Sequence, residues 1–294
     1  SPILIEETPM AAITVALIND LRQLTNAGMM DCKKALIDTN GDTDAAVKIL
    51  REKGLAIQVK RADKESKEGT INAVSAENGK AYAMAEVNTE TDFVAKTDNF
   101  KAFAALVTRT ALETGKTCPE ELGAALKEPL MTIVSQTGEN VKIRRAAHFV
   151  QADNALIESY IHMGGKVGVL VEVAAGKPET LTTDAFKELV HDLALQIAAA
   201  APRYLVSDEV PAEAIENEKE IARNSDRFKG KPENIVENAL KGIVNKFYSE
   251  VCLINQPFVK EPKQSITDVV KACEKATGDV ITITRFVRFQ LGAA

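Results

Sequence analysis

Two stretches decide the fold: GKAYAMAEVNTETDFVAKTDNFK, residues 79–101, and GKVGVLVEVAAGKPETLTTDAFK, residues 165–187. Sliding the first by 86 positions lays it on the second with 8 identities in 23 positions: Gly79, Lys80, Glu86, Val87, Thr97, Asp98, Phe100 and Lys101 fall on Gly165, Lys166, Glu172, Val173, Thr183, Asp184, Phe186 and Lys187. Before each stretch comes an alternating apolar run ending in a turn signal. Ile71–Ala76 and Lys80–Val87 flank Asn78-Gly79, and Ala155–His162 and Lys166–Ala174 flank Gly164-Gly165. Such residues accept the positive φ that a tight hairpin demands. After each hairpin a helix is expected, Asp98 to about Thr114 and Asp184 to about Ala201. Its apolar stripe is Phe100, Phe103, Ala104, Val107 and Ala111 in one copy, and Phe186, Leu189, Val190, Leu193 and Ile197 in the other. That spacing suits a helix lying on a sheet. The reading is a duplicated hairpin-plus-helix core of the α+β class.

Upstream, Ile13, Leu17, Ile18, Leu21 and Leu24 keep one helical face apolar, and Asn26-Ala27-Gly28 reads as a left-handed helix stop. A second helix spans Met29 to about Thr39. Asn40-Gly41 breaks it, and Asp42 caps a third through about Lys53. This makes a three-helix N-terminal bundle. Downstream, Ala212 to about Ser225 and Glu233 to about Ser249 form an antiparallel helical hairpin, or coiled coil. A helix near Ile266–Lys275 and a strand over Val280–Leu291 complete the chain. The expected division is 1–9 an extension or tag remnant, 10–54 the bundle, 55–69 a linker, 70–140 the core N-subdomain, 141–204 with 250–294 the core C-subdomain, and 205–249 the inserted hairpin.

Composition narrows the function. A net charge of −6 opposes a protein built mainly to grip phosphate backbone. No run approaches the length of a membrane helix, and residues 1–9 lack the flanks of a signal peptide. Cys32, Cys118, Cys252 and Cys273 are scattered and only three histidines are present, so neither a metal nor a cofactor is expected and a reducing compartment is. The turn Gly164–Gly168 lacks P-loop spacing and leads into a strand, so no direct nucleotide site is expected. His162 has no neighbouring nucleophile or carboxylate to make it a base.

One segment breaks the symmetry between the copies. Asn88–Lys96 carries Thr91-Asp92-Phe93-Val94, whereas the second copy reads the bland Ala174–Thr182. Phe93 either folds back as a staple on its own helix or stands exposed as an aromatic wedge beside Asp92. Composition leaves both open.

The string Thr91–Lys96 resembles the signature loop of the elongation factor Ts family. Leu21-Arg22 through Thr25, Ala27–Leu36, Gly138-Glu139-Asn140, Arg144-Arg145, Gln256–Val259 and Arg285-Phe286 are similar to that family in the same order. The resemblance covers nearly the whole chain from Met10. It departs at Asn26, where the family usually has Gly, and at Thr89, which replaces a frequent Cys. It also ends soon after Leu291, without the further module of some members. The resemblance implies a non-enzymatic guanine nucleotide exchange factor, working in a bacterial cytoplasm or an organelle, whose partner is the GTPase elongation factor Tu. By that implication Thr91, Asp92, Phe93 and Val94 enter the partner and disturb its magnesium and phosphate site. Met29, Met30, Gly138, Glu139, Asn140 and His162 supply other contacts. The helical hairpin is a possible site of homodimerisation. Met29 and Met30 could instead pack in the core, and Arg144 and Arg145 read as a solvated strand edge. The competing class is a peptide-binding adaptor, because the three-helix start is similar to ubiquitin-associated domains. An enzyme using Asp92 or His162 lacks paired catalytic groups.

Overall fold

The computed structural model describes residues 12–25 and 27–294. The expected extension at 1–9 and the Asn26 stop lie outside them. The architecture is mixed α and β, as the periodicities require, and it divides into two compact units.

The first unit holds the described residues up to Asn72, with Ala85–Ala146 and Leu291–Ala294. It opens with α1 (Val15–Thr25), α2 (Met29–Asp38) and α3 (Thr43–Arg61). Ile18, Leu21, Cys32, Ala35, Leu36, Ala46 and Leu50 form their shared core. Leu24, expected on the inner face, is exposed. Thr25 is buried in its place and donates its hydroxyl to the Leu21 carbonyl at 2.7 Å. Gly28 is extended rather than left-handed, the N-cap of α2. Asn40 and Gly41 do take positive φ after α2, and the Asp42 carboxylate accepts from the Ala45 amide at 3.0 Å to start α3.

The expected linker at 55–69 is corrected. α3 continues without a break to Arg61, and the chain enters β1 (Glu68–Ser75) at Glu68. Gly54 therefore does not end a helix. A Cβ there would lie 2.3 Å from the Met131 carbonyl oxygen, so this glycine lets α3 press backbone to backbone on a later helix. That helix is α7 (Lys127–Thr137), which with α6 (Pro119–Ala125) lay in a stretch where no element was expected. Between β1 and α6 run β2 (Ala81–Thr89), α4 (Asp92–Ala95) and α5 (Asp98–Thr114), and β3 (Lys142–Val150) follows α7. The first sheet has the order β1-β2-β3. Its hairpin is closed by the Ala76 amide on the Ala81 carbonyl, so the loop is Glu77–Lys80, four residues rather than two, with Gly79 at φ 69°.

The second unit holds Ala73–Met84 and Ala147–Gln290. Here β4 (Ala155–His162) pairs antiparallel with β5 (Val167–Ala175) from Ala155↔Ala174 to His162↔Val167. After α8 (Asp184–Ala200), α9 (Ala212–Arg223), α10 (Glu233–Val251), the short pair β6 (Pro257–Phe258) and β7 (Glu261–Ser265), and α11 (Ile266–Thr277), β8 (Ile281–Gln290) adds to β5 antiparallel. The core joins Val169, Val171 and Val173 of β5 to Phe186, Leu189, Val190, Leu193 and Ile197 of α8. Those α8 residues, and their counterparts on α5, are all buried. α5 and α8 also start alike. Thr97 and Thr183 each accept the amide three residues on at 3.3 Å, from Phe100 and Phe186.

The central strands β2 and β5 are buried almost continuously rather than alternately. Their second faces hide carboxylates. Glu86 accepts from Arg145 Nε at 2.7 Å and from the Gly292 amide at 2.9 Å. Glu172 accepts from Arg285 Nε at 3.1 Å, Thr284 Oγ at 2.7 Å and the Ala152 amide at 3.0 Å. Arg145 is thus half-buried and paired to a buried glutamate, not a solvated edge residue. Burial raises the Glu172 pKa, but Arg285 and the donated hydrogen bonds outweigh it and leave the group below its ordinary range.

Candidate functional site

Between β2 and α5 the chain makes one isolated helical turn, α4, held by a cap at each end. Thr91 is extended at φ −120° and ψ 151°, and its hydroxyl oxygen accepts the Val94 amide at 3.3 Å. On the other side the Thr97 hydroxyl donates to the Val94 carbonyl at 2.7 Å while capping α5. Two threonine caps six residues apart leave the intervening side chains little room to reorganise. Asp92 and Phe93 both project outward, with Val94 half-buried. Phe93 is 81% exposed. The alternative in which it staples its own helix is ruled out for the free chain.

Asp92 pairs with Lys96 at 3.1 Å across one turn. The lysine holds the Asp92 carboxyl below its usual range. Both groups are exposed, so the pair orients Asp92 and adds little stability.

The turn is anchored from behind by two carboxylates. Glu139 accepts four hydrogen bonds from three consecutive residues: Thr89 Oγ at 2.6 Å, the Glu90 and Thr91 amides at 3.0 Å each, and Thr91 Oγ at 2.5 Å. Glu90 receives the Arg61 guanidinium in a two-pronged contact, Nε at 2.7 Å and Nη2 at 2.5 Å, and also the Asn140 amide at 2.7 Å. The Arg61 hydrogen bond holds the Glu90 carboxyl below its ordinary range. Asn140 in turn donates from its side chain to the Lys64 carbonyl at 2.9 Å, while Ser66 Oγ donates to its carbonyl at 2.9 Å. Gly138 supplies the left-handed C-cap of α7 at φ 68° that brings Glu139 into place. Of the loop expected to contact a partner, Asn140 is 2% exposed and the Glu139 carboxylate is fully engaged within the chain. Their side chains build the turn.

The other expected contact residues are on the surface. Met29 and Met30 begin α2 and are exposed, Met30 at 72%, so core packing does not account for them. His162 ends β4, exposed, with Nδ1 2.8 Å from the Tyr160 hydroxyl. Among the described residues no cluster of His, Cys, Asp or Glu could hold a metal ion, and no helix is long and apolar enough to cross a membrane. All four cysteines are free. Sequence reasoning missed Arg61 and Glu90.

Comparison with known proteins gives these features a family. The family described as Elongation factor TS matches residues 90–293. Elongation factor Ts of Desulfovibrio desulfuricans is 41% identical over 285 residues, covering 97% of this chain and all of that protein. Those of Trichlorobacter lovleyi and Clostridium botulinum are each 42% identical, covering 96% and 95% of this chain and 93% of the relative. These matches make the chain a translation factor of the elongation step. It belongs to the elongation factor Ts family.

Proposed function

We propose that the protein is a nucleotide exchange factor for the GTPase elongation factor Tu, and that Phe93 with Asp92 is the wedge that loosens bound GDP. The observation that supports this reading is a phenylalanine 81% exposed on a turn capped at both ends and braced from behind. A protein that binds the empty GTPase more tightly than the GDP-bound form must weaken GDP by the same factor. Burying one Phe stabilises a complex by about 1.5–3 kcal/mol, and each ~1.4 kcal/mol is tenfold in an equilibrium constant. With that burial already made in the transition state for GDP release, the wedge supplies roughly 10- to 100-fold of the acceleration, and further contacts, with Met29, Met30 and His162 as candidates, supply the rest.

In this reading the protein binds no nucleotide itself, works in the cytoplasm, and uses a duplicated hairpin-plus-helix scaffold behind a three-helix, ubiquitin-associated-like start. The duplication is supported by the matching caps at Thr97 and Thr183 and the matching pairs of a buried Glu with a partly exposed Arg. The test is release of labelled GDP from elongation factor Tu. Phe93→Ala is expected to lower stimulated release about 10- to 100-fold with the melting temperature unchanged. An unaltered release rate ends the wedge assignment.

A further inference from the structure

We infer that Arg61 is a positioning residue for the exchange reaction. From the last turn of α3 it fixes Glu90, and through Glu90 the setting of the Phe93 turn. This rests on the wedge reading above and adds how the wedge is held.

The charges around the turn need Arg61. Glu139 lies against the backbone of Glu90 and Thr91, and both Glu90 and Glu139 sit near Arg61. Lys96 answers Asp92 from solvent, where its effect is screened. Arg61 is the cation in direct contact with this inner pair, with Lys64 a weaker second. It meets both oxygens of Glu90, which is the geometry a guanidinium offers and an ammonium does not. Glu90 is also pinned by the Asn140 amide, so its backbone, one residue ahead of the Thr91 cap, has a single seat.

Arg61 also connects this seat to the other expected contact surface. Asp31, next to Met30 in the first turn of α2, pairs with Lys53 of α3 at 2.6 Å. Lys53 and Arg61 are eight residues apart on one unbroken helix, about 12 Å along its axis. Gly54 lets this part of α3 lie against the backbone at Met131. α3 is thus a strut with the methionine end of α2 clipped near its middle and the wedge turn clipped to its end.

The chain contains no tryptophan, so Phe93→Trp installs a single fluorescent reporter on the turn. With the whole protein in that background, Arg61→Gln is expected to raise the fast local component of the anisotropy decay while circular dichroism stays as it was and melting falls only by the loss of the Glu90 ion pair. Arg61→Lys is expected to restore only part of the order. In GDP release, Arg61→Gln in the native background is expected to lower the maximal rate about tenfold, with a smaller change in the concentration giving half the effect. Added to Phe93→Ala it is expected to slow release no further, because the two changes remove the same action. Glu90→Gln is the second variant: it retains an acceptor for the Asn140 amide, loses the ion pair and is expected to behave like Arg61→Gln. An unchanged anisotropy decay, or losses from Arg61→Gln and Phe93→Ala that multiply, overturns the inference while leaving the wedge in place. Full activity of Phe93→Ala removes the wedge and, with it, the role of Arg61 in exchange.

Discussion

Glu139 offers the sharpest test of how the turn is built, because its two oxygens are used unequally. Oε2 takes three donors, from Thr89 Oγ and the Glu90 and Thr91 amides, and Oε1 takes the Thr91 hydroxyl alone. A glutamine can keep its carbonyl oxygen under the three donors and turn its NH2 toward Thr91, whose hydroxyl can accept instead. What is lost is the charge assistance, about 1 kcal/mol. Alanine orphans all four donors at once. Thr89 is buried, and an unsatisfied buried donor is destabilising by about 1–3 kcal/mol. Water can reach the half-buried Thr91 side of the turn, so the expected total for Glu139→Ala is about 3–4 kcal/mol rather than the full sum. Urea unfolding of the two variants measures both numbers, and labelled-GDP release reads the turn itself. Glutamine is expected to retain most of the exchange activity, and alanine to lose it at temperatures where the remaining fold is intact. If glutamine were as damaging as alanine, or alanine fell within 0.5 kcal/mol of the parent, the four-donor account of the turn would be wrong.

Two further outcomes follow from the geometry. Gly54→Ala adds a methyl 2.3 Å from the Met131 carbonyl oxygen; the ~1 kcal/mol gain in helix propensity is outweighed, with a net loss of about 1–3 kcal/mol in chemical denaturation, whereas Gly242→Ala, which meets nothing within 4 Å, is expected to stabilise α10. The Glu90 carboxyl is held below its ordinary range by Arg61, so its contribution is present above the unfolded-state pKa of about 4.3 and is lost as pH falls through the lower folded-state value. Melting temperature is therefore expected to decline below about pH 4.3, with a shallower decline in Arg61→Gln; equal slopes in the two proteins would contradict this.

How much of this was legible beforehand depended on whether the signal was local. The cap at Asp42 and the stripes on α5 and α8 follow from short-range chemistry and were read correctly, whereas Thr97 and Thr183 were noticed only as a matched pair of residues and not as caps. Gly54 was misread because a glycine demanded by a neighbouring helix looks, in sequence, the same as one that ends its own. α6 and α7 were overlooked although Pro119 opens one and Gly138 closes the other. Arg145 beside Arg144 looked like solvent-facing charge, since its partner Glu86 lies 59 residues away in the chain. At the site, the asymmetry between the copies exposed Phe93, but not the brace beneath it. Arg61, Glu90 and Glu139 are ordinary surface residue types, and only the fold brings residues 61, 90 and 139 together.

On the proposed duplication, the two copies share a scaffold and differ in what it displays. Each has a threonine cap on its helix and a buried glutamate on its central strand, answered by an arginine from the third strand. Where the first copy braces an aromatic turn with Glu139, the second puts residues 178–182 into a short 3-10 helix fastened by Asp279, which accepts from the Lys177 amide at 2.8 Å and Thr180 Oγ at 2.7 Å. Both connections are therefore pinned by a carboxylate from a distant element, and rigidity alone does not mark the functional one. What differs is what the pinned turn displays: a hydroxyl- and proline-bearing surface in one copy, and in the other a phenylalanine whose apolar area stays in water. A connection already held at both ends can exchange its displayed side chain without disturbing the core, so the wedge proposed for one copy asks nothing of its twin.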